Sequence, residues 1–241
     1  MNEYDVMYNA KMSFVHYIKD VFLKKVKYIT TKNKSILSVT SGKSYELEPD
    51  IINTDEYGNA KNMISVTANN EDISDSEFEF NYLTNKITFS DSFKNIKVTY
   101  KKYSINVIDS YPNIENTSFD SPIISVELED FSSSPFEIGS RRQYWNGNVF
   151  IDCFCTNDAM RERLRGALTF ELANRNIPVY DFVNNSLLNI DGTLNKDFVF
   201  NPSETEIYDI TRIFAENYDM NSLNKKKMSV CSISANFNLI F

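Results

Sequence analysis

The hydrophobic repeat changes period three times along this chain, and no all-α or all-β fold accommodates that. From about Glu3 to Lys27, Met7, Ala10, Phe14, Ile18 and Val21 recur at three- and four-residue spacing, the signature of one helix face. Val15, Phe22 and Leu23 widen that face, and Lys24, Lys25 and Lys27 fall in the last turn, where the helix dipole favours cations. From Tyr28 to about Ile108 the period is two. Ser35–Leu47 reads as strand, Gly turn, strand; Asp55-Glu-Tyr-Gly-Asn marks a turn; Met63–Thr67 and Ile96–Tyr100 read as strands. Phe78–Phe89 alternates around a turn at Thr84-Asn85. This stretch predicts a small antiparallel β lobe.

Residues 104–121, with Tyr111-Pro112, Asn113, Asn116, Ser118 and Ser121-Pro122, read as a linker. Strands are predicted at Ile123–Glu129 and from about Arg141 to Phe154, with Phe131–Gly139 as a flexible loop between them. The second strand is apolar on both faces and belongs in the middle of a sheet. The period then returns to helical. Thr156 or Asn157 caps a helix over 158–173, with Met160, Leu164, Ala167, Leu168 and Leu172 on one side and Arg161, Glu162, Arg165 and Glu171 on the other. Ile177–Phe182 reads as a short strand and 184–201 as loop or hairpin. Residues 206–214 fit both a helix, through a Ser203–Glu206 capping box, and a strand, with the strand favoured. Ser229–Phe241 reads as a C-terminal strand that needs a ladder partner. The fold class expected is α+β: a small mixed or antiparallel β-sheet flanked by two helices, with an inserted antiparallel β lobe. The divisions are 1–27, a helix packing on the core; 28–108, the lobe; and 109–241, the α/β core. A length of 241 residues suits one large domain or two small ones.

Chemistry is sparse. The chain carries 25 Lys+Arg against 33 Asp+Glu, a net charge of −8, which disfavours a surface that grips nucleic acid throughout. Cys153, Cys155 and Cys231 are too few for a disulfide framework, and with a single His no zinc centre is expected. Cys153 and Cys155 share a strand face as reduced, buried thiols. His16 is read as structural or solvated. The nucleotide-binding, zinc-protease and nucleophile-elbow motifs are missing from the sequence, so no catalytic, cofactor or metal residue is assigned. Glu127 and Glu129 share a strand face, and a carboxylate-based hydrolase or a sugar-binding β module is the competing functional class. No signal peptide or membrane-spanning stretch is visible, so a soluble chain made in a cytoplasm is expected. The distinctive feature is the arginines: all seven lie in the second half, five of them between 141 and 165. Arg141, Arg142, Arg161, Glu162, Arg165 and Arg175 are the candidate interface residues, since guanidinium groups make multidentate ion pairs at protein contacts. The alternative is a solvated helix face laced by ion pairs one turn apart.

The block Arg141-Arg-Gln-Tyr-Trp-Asn-Gly-Asn-Val-Phe-Ile-Asp-Cys-Phe-Cys, the following Arg161-Glu-Arg-Leu, and Asn176-Ile-Pro-Val-Tyr-Asp-Phe182 resemble neck proteins of tailed bacteriophages, specifically the tail-terminator or tail-completion group. The Phe80–Asp91 segment followed by Ile96–Tyr100 is similar to a β-hairpin module of phage structural proteins. The resemblance covers about 122–182, with the first helix and last strand matching by order. It implies a virion protein at the head–tail junction without enzymatic activity. Its homo-oligomer would be a ring, usually hexameric, that caps the tail tube and joins tail to head. The implied partners are the tail tube, the tail sheath where the tail is contractile, and head connector proteins, with DNA passing through the ring unbound. The lobe at 28–108 departs from that pattern, and leaves a head-side connector or an outer neck, sheath-contacting protein as the alternative position.

Overall fold

A computed structural model describes residues 5–56, 58–112, 122–135, 137–138, 143–198, 206–218 and 229–240, with backbone alone for 206–218 and 239–240. The chain divides into two compact units. One comprises Met1–Val26, Ile105–Val183 and Asn201–Phe241; the other comprises Lys27–Ser104 and Asn184–Phe200. The fold is α+β, mostly antiparallel, with a β lobe.

Helix α1 (Val6–His16) runs without a break through a π-helical segment, Tyr17–Phe22, into a short α2 (Leu23–Lys25). The π segment adds residues to its turn and rotates the buried row. Val6, Ala10, Phe14, Ile18 and Phe22 are buried, whereas Met7 and Val21, expected on the apolar face, are exposed.

The lobe contains β1 (Ile29–Val39), β2 (Ser44–Glu46), β3 (Ser65–Ala68), β4 (Glu71–Asp72), β5 (Phe78–Asn81), β6 (Lys86–Phe89) and β7 (Phe93–Tyr103). They form two sheets, ordered β1-β7-β3-β4 and β2-β6-β5. The expected β5–β6 hairpin is present, with Asn85 at φ 54° in its turn. The strands on either side of Gly42, by contrast, do not pair with each other: β1 pairs with β7 and β2 with β6. Gly42, at φ 74°, carries the chain from one sheet to the other. Both sheets contribute to one core, including Ile64, Val66, Phe80, Ile87, Phe89 and Val98.

The other unit holds β8 (Asn106–Ile108), β9 (Ile123–Pro135), β10 (Gln143–Cys155), α3 (Asp158–Ala173), β11 (Ile177–Pro178), β12 (Glu206–Tyr218) and β13 (Ser229–Ile240). Its sheet is ordered β11-β12-β13-β10-β9-β8, antiparallel except for the parallel β8–β9 pair. The apolar strand β10 lies centrally, and β13 finds ladder partners in β10 and β12. Val126, Ile151, Cys153, Ile233, Ala235 and Phe237 are buried beneath the helices. Phe14 of α1 meets Phe237 edge-on at 5.3 Å.

Four expectations are corrected. Residues 106–108 join this sheet, so the lobe ends at 104. The segment 184–200 belongs with the lobe, where the Tyr82 N–H donates to the Gly192 carbonyl at 2.9 Å. The expected loop from Phe131 is strand as far as Pro135, held by its register with β10. Of the strand expected over 177–182, only Ile177–Pro178 forms. Residues 206–214 are strand, within β12. Most of the expected linker, 113–121, lies outside the described residues.

Because the lobe has its own core, replacing 27–104 and 184–200 by short linkers is expected to leave the remaining unit cooperatively folded. A melt followed by circular dichroism checks this; a remainder with no transition refutes it.

Candidate functional site

Helix α3 begins where the sequence indicates. The Asn157 side chain accepts from the Met160 N–H at 2.9 Å, satisfying one free donor of the first turn. Leu164, Leu168 and Leu172 are buried on the sheet. Arg161 and Arg165, expected on the outer face, instead flank the leucine row, only 18% and 30% exposed, and form a short ion lattice: Arg161 lies 3.2 Å from Asp158 and 3.1 Å from Glu162, and Arg165 lies 2.7 Å from the second Glu162 oxygen. Next to it, Phe170 is 68% exposed. An open hollow of about 540 Å³ lies beside that ring, lined by Arg165, Gly166, Thr169, Phe170, Ala173 and Asn174. At Gly166 a Cβ would meet nothing within 4 Å.

Of the candidate interface residues, the structure brings together Arg161, Glu162 and Arg165. Arg175 is engaged at the far end of the helix, 3.5 Å from Glu171. Arg141 and Arg142 lie outside the described residues. Glu171, expected on the outer face, is buried. It accepts from the Tyr17 hydroxyl at 2.8 Å and from Lys25 Nζ at 2.6 Å. Burial raises its pKa, but Lys25, Tyr17 and Arg175 together outweigh that and hold the carboxyl below its ordinary value. This clasp joins the start and end of the helical layer.

A second polar cluster was missed from sequence. Asn9, Ser13, His16 and Asp20 are all buried in the first helix. Asn9 accepts from the Phe182 N–H at 2.8 Å and Ser13 from the Tyr180 N–H at 2.9 Å, so the helix supplies the ladder partners that residues 180–182 lack. His16 packs against the rings of Tyr180 and Phe182, and its Nδ1 lies 2.9 Å from Asp20. Burial pushes Asp20 up; His16 foremost, with Lys19 and Lys24, overrides it and holds the carboxyl far below its usual range. The signal was a seven-residue recurrence, Asn9 to His16 and Ser13 to Asp20, which places all four on one helix stripe.

Glu127 and Glu129 do not make a carboxylate pair in a pocket. Glu127 accepts from the Tyr111 N–H at 2.7 Å, and Glu129 is exposed. On the same sheet face Asp152 is raised by burial and accepts from Ser232. Among the described residues no group of three or more His, Cys, Asp and Glu side chains is placed to hold a metal ion. No described helix is long and apolar enough to cross a membrane. The lobe carries an open polar cleft of about 750 Å³, bordered by Asn62, Tyr82, Asn189, Asn195 and Asp197. The Tyr82 hydroxyl there already donates to Asn62 at 3.3 Å, and Asn189 and Asn195 donate to their own loop. These four groups thus serve to fold the lobe.

Comparison of the chain with protein-family models, with curated proteins and with solved structures finds no match.

Proposed function

We propose that this chain is a structural subunit of a tailed-phage neck, of the tail-terminator type, which assembles with copies of itself into a ring that caps the tail tube and meets the head. The observation that carries the reading is the outer side of α3. Its leucine row is buried on the sheet, yet its opposite side presents Arg163 and an exposed Phe170 beside the hollow over Gly166, with Arg161, Glu162 and Arg165 paired along one flank. Aromatic and arginine side chains grouped in this way favour burial by a protein neighbour. The order helix, strand, strand, helix, strand that the resemblance implies is contained in this unit, to which β8, β11 and β12 are added. A heterologous contact, in which two different patches meet, closes into a ring when the rotation between subunits fits. A net charge of −8 suits a ring through which DNA slides without adhering.

The test is Arg161→Glu combined with Arg165→Glu. Asp158 and Glu162 are open to solvent but Arg161 is only 18% exposed, so charge reversal is expected to cost the isolated chain about 1–2 kcal/mol and leave it folded. Once a neighbour covers them, the same reversal costs roughly 2–5 kcal/mol. The variant should still melt cooperatively, at a somewhat lower temperature, and fail to join tails. Incorporation into particles at the parental level would remove α3 from the interface. Loss of folding would show that these arginines act within the subunit.

A further inference from the structure

The register of the central sheet sets two cysteines opposite each other. Cys153 on β10 pairs directly with Cys231 on β13, while Cys155 faces Ser229. Directly opposed residues of an antiparallel pair have Cα atoms about 4.5–5.5 Å apart, inside the roughly 4.4–6.8 Å range that a disulfide spans. Both side chains point to the buried, helix-covered face, and the Cys153 thiol donates to the Cys231 sulfur. The Cys231 thiol in turn donates to the Arg161 carbonyl oxygen at 4.0 Å, directly under α3.

The two thiols are not equivalent. The hydrogen bond from Cys153, then the Arg165 and Arg161 guanidiniums, lower the pKa of Cys231 against burial and Glu162. Cys153 is raised by the same hydrogen bond and by burial, with Cys231, Cys155 and Asp152 adding to the rise. Cys231 is therefore the easier of the two thiols to ionise and Cys153 the harder.

We propose that Cys153 and Cys231 form a latent cross-strand disulfide, closed by exchange with a small-molecule disulfide such as oxidised glutathione. Cys231 gives up its proton as the sheet opens, and its thiolate attacks one glutathione sulfur, forming a mixed disulfide and releasing one glutathione thiolate, which takes up that proton. Cys153 then gives up its proton, attacks the Cys231 sulfur and expels the second glutathione. The protein loses two hydrogens and two electrons, and the small disulfide is reduced to two thiols. The bond closes a loop that contains all of α3 and β12. It ties the C-terminal strand to the centre of the sheet and does not depend on the neck reading.

The experiment uses the full-length chain, reduced and freed of reductant. It is equilibrated with oxidised glutathione a few degrees below its melting temperature, so that slow opening of the sheet does not limit exchange. Remaining thiols are then alkylated in denaturant and the protein is mapped by mass without reduction. The expected product is about 2 Da lighter before alkylation, carries a single alkyl group, on Cys155, and yields a peptide linking Cys153 to Cys231. Its melting temperature should rise by roughly 5–15 °C, as for a long closed loop. Cys155→Ser should give the same link. Three alkylated thiols, a stable glutathione adduct, or a link that includes Cys155 would each overturn the proposal.

Discussion

Gly147→Val is expected to destabilise the protein by about 3 kcal/mol or more. A Cβ at Gly147 would lie 2.7 Å and 2.9 Å from ring atoms of Phe237 and 2.8 Å from the ring of Phe131. Neither ring is free to withdraw. Phe237 is buried against Phe14, and Phe131 is stacked on Trp145 with centroids 5.1 Å apart. The glycine thus lets β10 pass beneath two aromatic rings where β9 bulges at Asp130, whose φ is 53°. Urea unfolding measures the cost. Trp145, the single tryptophan, reports the local rearrangement through its emission. A Val variant within 0.5 kcal/mol of the parent would mean that the rings are loosely held.

Removing the buried carboxylate at Asp20 should cost about 3 kcal/mol, because the His16 ring and Lys24 then lose the partner they share in a dry setting. The same group sets an acid limb. Asp20 is held low in the folded chain, whereas the unfolded chain takes up that proton near pH 4. Its contribution is therefore complete above about pH 5 and is lost as pH falls toward the folded value. Glu171, also held low, acts in the same direction. Urea midpoints at pH 7, 5 and 3 should fall steeply for the parent and less steeply for Asp20→Ala. Equal slopes would show that the carboxylate is already protonated in the fold.

The second helix and the central strand were legible because local signals agree there. The Asn157 cap, the leucine row and the two-sided apolar strand all point the same way. The first helix was legible as a helix but not in its facing. Its buried stripe holds Asn9, Ser13, His16 and Asp20 because a distant segment, 180–182, needs hydrogen-bond partners. A hydrophobicity count cannot register that need. The Ser-Ser-Ser-Pro run at 132–135 carries the composition of a loop, yet pairing with β10 holds it extended. Segment 184–200 gave no local sign of belonging to the lobe, because what assigns it there is a contact with residues a hundred positions earlier. Of the candidate interface, the arginine density on α3 was readable. The divergence of Arg175 was not, since it depends on where Tyr17 and Lys25 arrive.

The two folded units are interleaved in the chain. The path leaves the first unit after Val26, returns at Ile105, leaves again after Val183 and returns near Asn201. A ribosome adding about 5–20 residues per second takes roughly 10–40 s to extend the chain from the first helix to the last strand. Throughout that interval Phe14 lacks Phe237, the ring against which it finally rests. The lobe likewise waits for 184–200 before its own set of segments is complete. Neither unit can finish before the segment that completes it has been made, 184–200 for the lobe and β13 for the other, so the nascent protein keeps part of its first helix uncovered through that interval. Its yield in a cell should therefore depend on translation speed and on chaperone occupancy of the first 26 residues more than on the stability of the finished fold.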